Sequence, residues 1–261
     1  CHTSCDRLTT AKKIQSMYNI PIIRHTHVLP DVRYNTDNQI YSFNSIDVEH
    51  NSFISNYNRS AWSCVGENTS FIEHGIDCNF WADSSNDKEE RDNVCISVVN
   101  QWPDRDWCCG WELWKETVGF SEQPMQSSLP VRVLGDSPGL SEPAPSIEAL
   151  RDSYRASSIF LNTSLHSPVP TVLMEAMASG CAIVSTNNCM IPEIITHGEN
   201  GLLADTADEL RASCQYLLNN PDEARKLGQN AQDTIQEKYN LERFVYNWNE
   251  LFFETIDNYR K

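Results

Sequence analysis

Glu175 is the residue of this 261-residue chain whose surroundings most call for chemistry. It sits in the run Thr171 to Ala178, TVLMEAMA, where every other position except the leading threonine is apolar. A helix that is apolar all round is buried. A carboxylate there needs a partner, because an uncompensated buried charge is very costly. Two partners fit: a Lys or Arg of a neighbouring element in a structural ion pair, or a ligand reached across a cleft. Other groups have types suited to an anionic or sugar ligand. The run PIIRHTH from Pro21 brings Arg24, His25 and His27 to the end of an apolar segment, and strands of an open parallel sheet end at the ligand cleft. A lone histidine is more often structural than functional, so each of these weighs little by itself. The segment NQWPDRDWCCGW carries Arg105, and within it Asp104-Arg105-Asp106 spaces two carboxylates as a hard divalent cation would need. So short an acidic pattern is common, and it is the weaker reading of that loop.

The elements that position these groups are legible in the hydrophobic pattern. Val94 to Val99, Val131 to Leu134, Ile159 to Leu161 and Cys181 to Ser185 are continuous apolar runs, as in parallel strands covered on both faces. Helical segments alternate with them at Gly110 to Thr117, Ser146 to Tyr154, Thr171 to Ser179, Ala207 to Leu218 and Asp222 to Lys238. Pro170 can start the central helix and Gly180 end it, after about three turns. Thr206 and Glu209 are spaced as a capping box, and Asn220-Pro221 as N-cap and first helical residue. Before these, Thr9 to Asn19 reads as a short amphipathic helix, while Asp31 to Glu67 reads only as short strands and loops. The last helix, Leu241 to Tyr259, puts Phe244, Trp248, Leu251, Phe252 and Thr255 on one side, a stripe that fits docking on the first domain. The polar stretch Ala82 to Asn93 is the best domain boundary.

Composition narrows the class. A formal net charge of -16 opposes binding to nucleic acid or to an anionic membrane, so an anionic ligand has to be held locally. No apolar run reaches membrane-span length, and a cytoplasmic location is expected. The ten cysteines show no C-x-x-C and read as reduced thiols, and the sequons at Asn58, Asn68 and Asn162 read as unglycosylated.

In order along the chain, PIIRHTH, EHGIDCNF, VRVLGDSPG, SIFLNTSLHSPVPTVLMEAMASG and CAIVSTNNCMIPEIITHGENGLLA together resemble the retaining GT-B-fold glycosyltransferases of family 4, the glycosyl transferases group 1. The resemblance runs from about Pro21 to the C-terminus and is strongest from Val131. It implies an α/β chain of two Rossmann-like, doubly wound domains, the first incomplete: residues 1–80 on the acceptor side, a linker at 81–93, a nucleotide-sugar-binding domain at 94–240, and a C-terminal helix at 241–261 packing back towards the first. It implies transfer of a sugar from a UDP- or GDP-type donor to a glycan, lipid or small-molecule acceptor, with retention and without metal or cofactor. In that family Glu175 would bond the ribose hydroxyls. The diphosphate would lie at Pro170, Thr171 and Val172, with Thr171 and Val172 supplying the amides. Gly135 would form the glycine turn of the donor site, and His27 and Arg105 would serve catalysis, Arg105 neutralising the leaving diphosphate. The family's first glutamate falls on Ser167, which can hydrogen-bond a sugar hydroxyl but carries no charge, and Arg105 stands where the family has a basic pair. Because a fold does not fix its chemistry, a sugar-nucleotide epimerase and a non-catalytic nucleotide-sugar-binding module stay open as alternatives.

Overall fold

The computed structural model describes residues 2–66, 68–84, 90–122 and 125–261. Contacts divide the chain into two compact units, Cys1–His74 with Glu242–Lys261, and Gly75–Leu241. Within the expected linker, residues 85–89 lie outside the described residues, as do Cys1 and Glu67.

The first unit runs α1 (His2–Tyr18), β1 (Ile23–Thr26), α2 (Thr36–Asn44), β2 (His50–Phe53), α3 (Asn56–Ala61) and β3 (Thr69–Phe71). Its strands form a parallel sheet in the order β1-β2-β3, with His25 beside Ser52 and Phe53 beside Phe71. The opening helix is longer than its amphipathic stretch. Residues 31–67 also correct the expectation of strands and loops alone, since α2 and α3 lie there. Both start on side-chain caps: Asn35 accepts from the Asn38 amide and Ser55 from the Asn58 amide. Few apolar residues mark these helices. Ile40 and Phe43 suffice for α2, packing on a small core of Phe53, Trp62 and Cys64.

In the second unit come α4 (Cys78–Trp81), β4 (Asp92–Val98), a 3-10 turn (Pro103–Arg105), α5 (Asp106–Cys109), α6 (Trp111–Val118), the short pair β5 (Ser121–Glu122) and β6 (Met125–Gln126), β7 (Val131–Leu134), α7 (Ile147–Ala156), β8 (Ser157–Asn162), α8 (Thr171–Ala178), β9 (Ala182–Thr186), α9 (Ile191–Ile194), β10 (Leu202–Ala204), α10 (Ala207–Asn219) and α11 (Pro221–Lys238). The sheet order is β10-β9-β8-β4-β7, every pair parallel. Strands β8 and β9 are buried almost throughout, which is why they read as unbroken apolar runs. The capping box at Thr206 and Glu209 forms as expected. Asn220 and Pro221 take the N-cap and first helical positions of α11 as expected, although the Asn220 side chain makes no capping hydrogen bond: its Nδ2 donates back to Tyr216 O at 2.7 Å. Helix α8 spans eight residues, one fewer than Thr171 to Ser179, and Gly180 follows it at a left-handed φ of 77°.

The last helix, α12 (Leu241–Tyr259), joins the first unit from Glu242 onward. Leu251 and Thr255 are buried on its stripe, whereas Phe252 is 45% exposed. Trp248 meets the edge of His25 with ring centroids 4.9 Å apart.

The position of α8 depends on a close backbone approach. Gly228 of α11 faces the chain just after α8, where a Cβ would overlap Gly180 O and crowd the Ala182 amide. Glycine to alanine in an open helix is worth about 1 kcal/mol in alanine's favour. Here overpacking, at about 1–3 kcal/mol, outweighs that gain. Gly228→Ala should therefore lower the denaturant midpoint in equilibrium unfolding, the reverse of the usual helix substitution.

Candidate functional site

Open parallel sheets bind ligands beyond the carboxyl ends of their strands, where the strand order reverses. In the second unit β7 flanks β4 on one side and β8 on the other, so the reversal lies between β4 and β8. Residues 99–110 leave the end of β4, and residues 163–170 leave the end of β8.

Those two segments are stitched together. Cys108 O accepts from the Leu165 amide at 2.9 Å and from the His166 amide at 3.1 Å. The Thr163 hydroxyl donates to Cys109 O at 3.2 Å and to Gly110 O at 3.0 Å. Gly110, at φ 65°, sits where a Cβ would overlap Thr163 O. A third segment closes on the same strand end. Gly135 has φ 125° and a Cβ there would overlap Val99 O, while Asn100 Oδ1 accepts the Asp136 amide at 2.8 Å. Gly135 is therefore fixed by sterics, and Asn100 serves the turn beside it.

Arg105 closes the 3-10 turn with an exposed side chain that makes no hydrogen bond or ion pair among the described residues. Asp106 Oδ1 accepts the Glu112 amide at 2.9 Å, so one carboxylate of the D-x-D is engaged in capping. Ser167 is half-buried and its hydroxyl has no hydrogen-bond partner among the described residues. Pro170 occupies the N-cap of α8 in an extended conformation with no side-chain cap. Its carbonyl accepts the Leu173 amide at 3.0 Å, which leaves the exposed Thr171 and half-buried Val172 to present the open amides of the first turn.

Glu175 finds neither Lys nor Arg among the described residues. Its partner is Tyr154 of α7, whose hydroxyl donates to Glu175 Oε2 at 3.3 Å. Burial pushes the Glu175 carboxyl above its ordinary range, and the Tyr154 hydrogen bond opposes that only in part. The Tyr154 phenol is raised well above its own ordinary value, by burial first and by the Glu175 charge second, so it remains a neutral donor. Tyr154 escaped the sequence reading because a tyrosine on the buried stripe of a helix looks like any core aromatic.

His27 lies in the first unit, exposed just past β1, with its ring 6.0 Å from that of His25. Burial, and then the charges of His27 and His74, push His25 down to about 4, so it is neutral near pH 7. Arg24 is structural: it donates to Asn51 Oδ1 at 2.8 Å and Phe43 O at 2.7 Å and stacks on the Phe43 ring. The second unit thus gathers Arg105, Gly135, Ser167, Pro170, Thr171, Val172 and Glu175, and His27 belongs to the first.

Residues 144–234 match the family model for glycosyl transferases group 1. The chain is 30% identical over 87 residues to the N-acetyl-alpha-D-glucosaminyl L-malate synthase of Bacillus anthracis, covering 33% of this chain and 23% of that protein. It is 28% identical over 120 residues to the alpha-maltose-1-phosphate synthase of Mycolicibacterium smegmatis, covering 43% of this chain and 29% of that protein. The matched segment thus spans about a quarter of the length of these relatives. Among solved structures, Anabaena HepE in complex with UDP superposes with a TM-score of 0.79 at 16% identity, over 95% of this chain and 76% of that one. Sucrose-phosphate synthase from Thermosynechococcus elongatus gives 0.73 at 17% identity, over 95% and 71%. These likenesses show the fold. No helix among the described residues is long and apolar enough to cross a membrane.

The raised carboxyl of Glu175 has a consequence for stability. A folded-state pKa above the unfolded one means that the folded chain binds the proton more tightly, so the contribution of Glu175 is present below its unfolded pKa and is lost as pH rises through the folded one. Glu175→Gln keeps an acceptor for Tyr154 and removes the charge. In ligand-free protein it should raise the thermal midpoint at pH 7, and that advantage should shrink towards pH 4.

Proposed function

Taking as premise a GT-B fold whose residues 144–234 belong to the glycosyl transferases group 1, we propose that this chain binds a nucleoside-diphosphate sugar and transfers the sugar with retention, without a metal ion. One observation carries the reading: a half-buried carboxylate, Glu175, held by a neutral tyrosine hydroxyl at the second turn of a helix whose first-turn amides lie open beside the sheet's reversal point. A carboxylate so placed accepts hydrogen bonds from a ribose diol. The open amides of Thr171 and Val172, at the positive end of the α8 dipole, accept the diphosphate. Arg105 adds a cation, and the turn at Gly135 lies at the end of β7, on the side of β4 away from β8. Ser167 hydrogen-bonds a sugar hydroxyl.

The reaction needs no protein nucleophile. The bond from the anomeric carbon to the β-phosphate oxygen breaks with its electron pair going to that oxygen. The acceptor hydroxyl attacks from the same face, and its proton passes to the departing phosphate. Arg105 and the amides stabilise the charge that develops there. Anabaena HepE was solved with UDP and with UDP-glucose, which makes UDP the first nucleotide to try here. A second reading, a nucleotide-sugar-binding module without turnover, is favoured by Ser167, an uncharged group where charge would assist an oxocarbenium. The acceptor is a glycan, lipid or small molecule.

A thermal-shift panel of UDP, GDP and their sugars tests the binding claim, because a ligand of the folded state raises the midpoint with concentration. UDP or GDP should stabilise the wild type. Arg105→Ala should weaken the diphosphate about tenfold, the order expected for losing a hydrogen bond to a charged group, and leave affinity for the bare nucleoside unchanged. Release of free nucleotide in the presence of acceptors separates transfer from binding alone.

A further inference from the structure

We infer that Tyr154 is a positioning residue for ribose recognition, holding one oxygen of Glu175 so that the other is presented to the nucleotide; this rests on the binding reading above. A buried tyrosine hydroxyl needs some acceptor, and a backbone carbonyl would satisfy it. Tyr154 instead donates to Glu175 Oε2, and neither carboxylate oxygen has another hydrogen-bond partner among the described residues. A phenol carries a single proton, so the bond differentiates the two oxygens. Oε2 is tethered and Oε1 keeps its full accepting capacity.

The tether is rigid at its far end. Tyr154 is 0% exposed, and its ring lies between Trp81 at 5.8 Å and Phe160 at 5.9 Å, edge-on to both. Its carbonyl accepts from Arg91 Nη1 at 3.4 Å and from the Cys181 thiol at 3.1 Å, so the backbone is pinned as well. A glutamate side chain has three torsions to order, whereas a packed tyrosine ring has none left free. The hydroxyl thus removes conformational freedom from the carboxylate before any ligand arrives, and a preordered group loses less on binding. The energetic gain appears only towards a ligand that uses the carboxylate. That separates positioning from packing.

The experiment compares UDP with 2′,3′-dideoxy-UDP by titration calorimetry on wild type, Tyr154→Phe, Glu175→Gln and the double variant. Tyr154→Phe keeps the ring and its contacts with Trp81 and Phe160. Positioning predicts that Tyr154→Phe lowers the preference for UDP over the dideoxy analogue about three- to tenfold, in the net range of one ordinary hydrogen bond, with dideoxy-UDP affinity unchanged. It also predicts that adding Tyr154→Phe to Glu175→Gln costs no further preference, since residues acting through one group are non-additive. Equal weakening of both ligands, or an intact preference in Tyr154→Phe, overturns the inference while leaving the binding reading standing. Failure of the wild type to bind UDP overturns both.

Discussion

The carbonyls that end α8 are occupied, and the second unit's arrangement depends on it. Arg91 Nη2 donates to Ser179 O at 2.7 Å, and Gln232 Nε2 donates to Ala178 O at 2.8 Å. Gly228 lets α11 close on Gly180 O. Arg91 reaches the start of β8 as well, donating to Ser157 O at 3.0 Å, so a single guanidinium ties the ends of two elements. A cation at a helix C-terminus also complements the helix dipole. The outcome is polarity in the plain sense. The C-terminal end of α8 is satisfied by protein, and the N-terminal end, behind Pro170, is left to something else.

That asymmetry matters in a chain of formal net charge -16. Long-range attraction cannot gather an anion onto such a surface, and at physiological salt screening over about 8 Å would blunt it in any case. Binding has to come from groups within hydrogen-bond reach. Amides in an open first turn and an exposed guanidinium at Arg105 are groups of that kind, and both sit at the strand ends where the sheet order reverses. Glu175 adds negative charge one turn further in, which would repel a phosphate and suits an uncharged hydroxyl. In the nucleotide-binding proposal, the phosphate lies towards the amides and the sugar hydroxyls towards the carboxylate.

The loops that shape this end are fixed by sterics and by their own backbones. Gly135 and Gly110 hold positive φ in places where any Cβ would strike a carbonyl. The carbonyls of Cys108 and Cys109 gather the segment that carries Ser167. The adjacent thiols, 3.6 Å apart, contribute little to this directly, and the chain between them does the holding.

The sequence by itself determined four of the five parallel strands of the second unit, all but β10, the extent of α8 to within a residue at each end, the capping box at Thr206 and the demand of Glu175 for a partner. Each rests on local signals: continuous apolar runs, a proline before and a glycine after a helix, or a charge in an apolar turn. Residues 31–67 resisted because α2 and α3 are short, carry few apolar residues and are set by caps at Asn35 and Ser55 rather than by periodicity. At Asn220 the N-cap position was legible, but not that its side chain turns back to α10. What only the tertiary structure decided was who answers Glu175. Its partner lies 21 residues away on another helix, and the pairing exists because α7 and α8 both pack against β8. No spacing rule encodes that. A charge in an apolar run announces itself locally, whereas the hydroxyl that meets it is chosen by how the layers close.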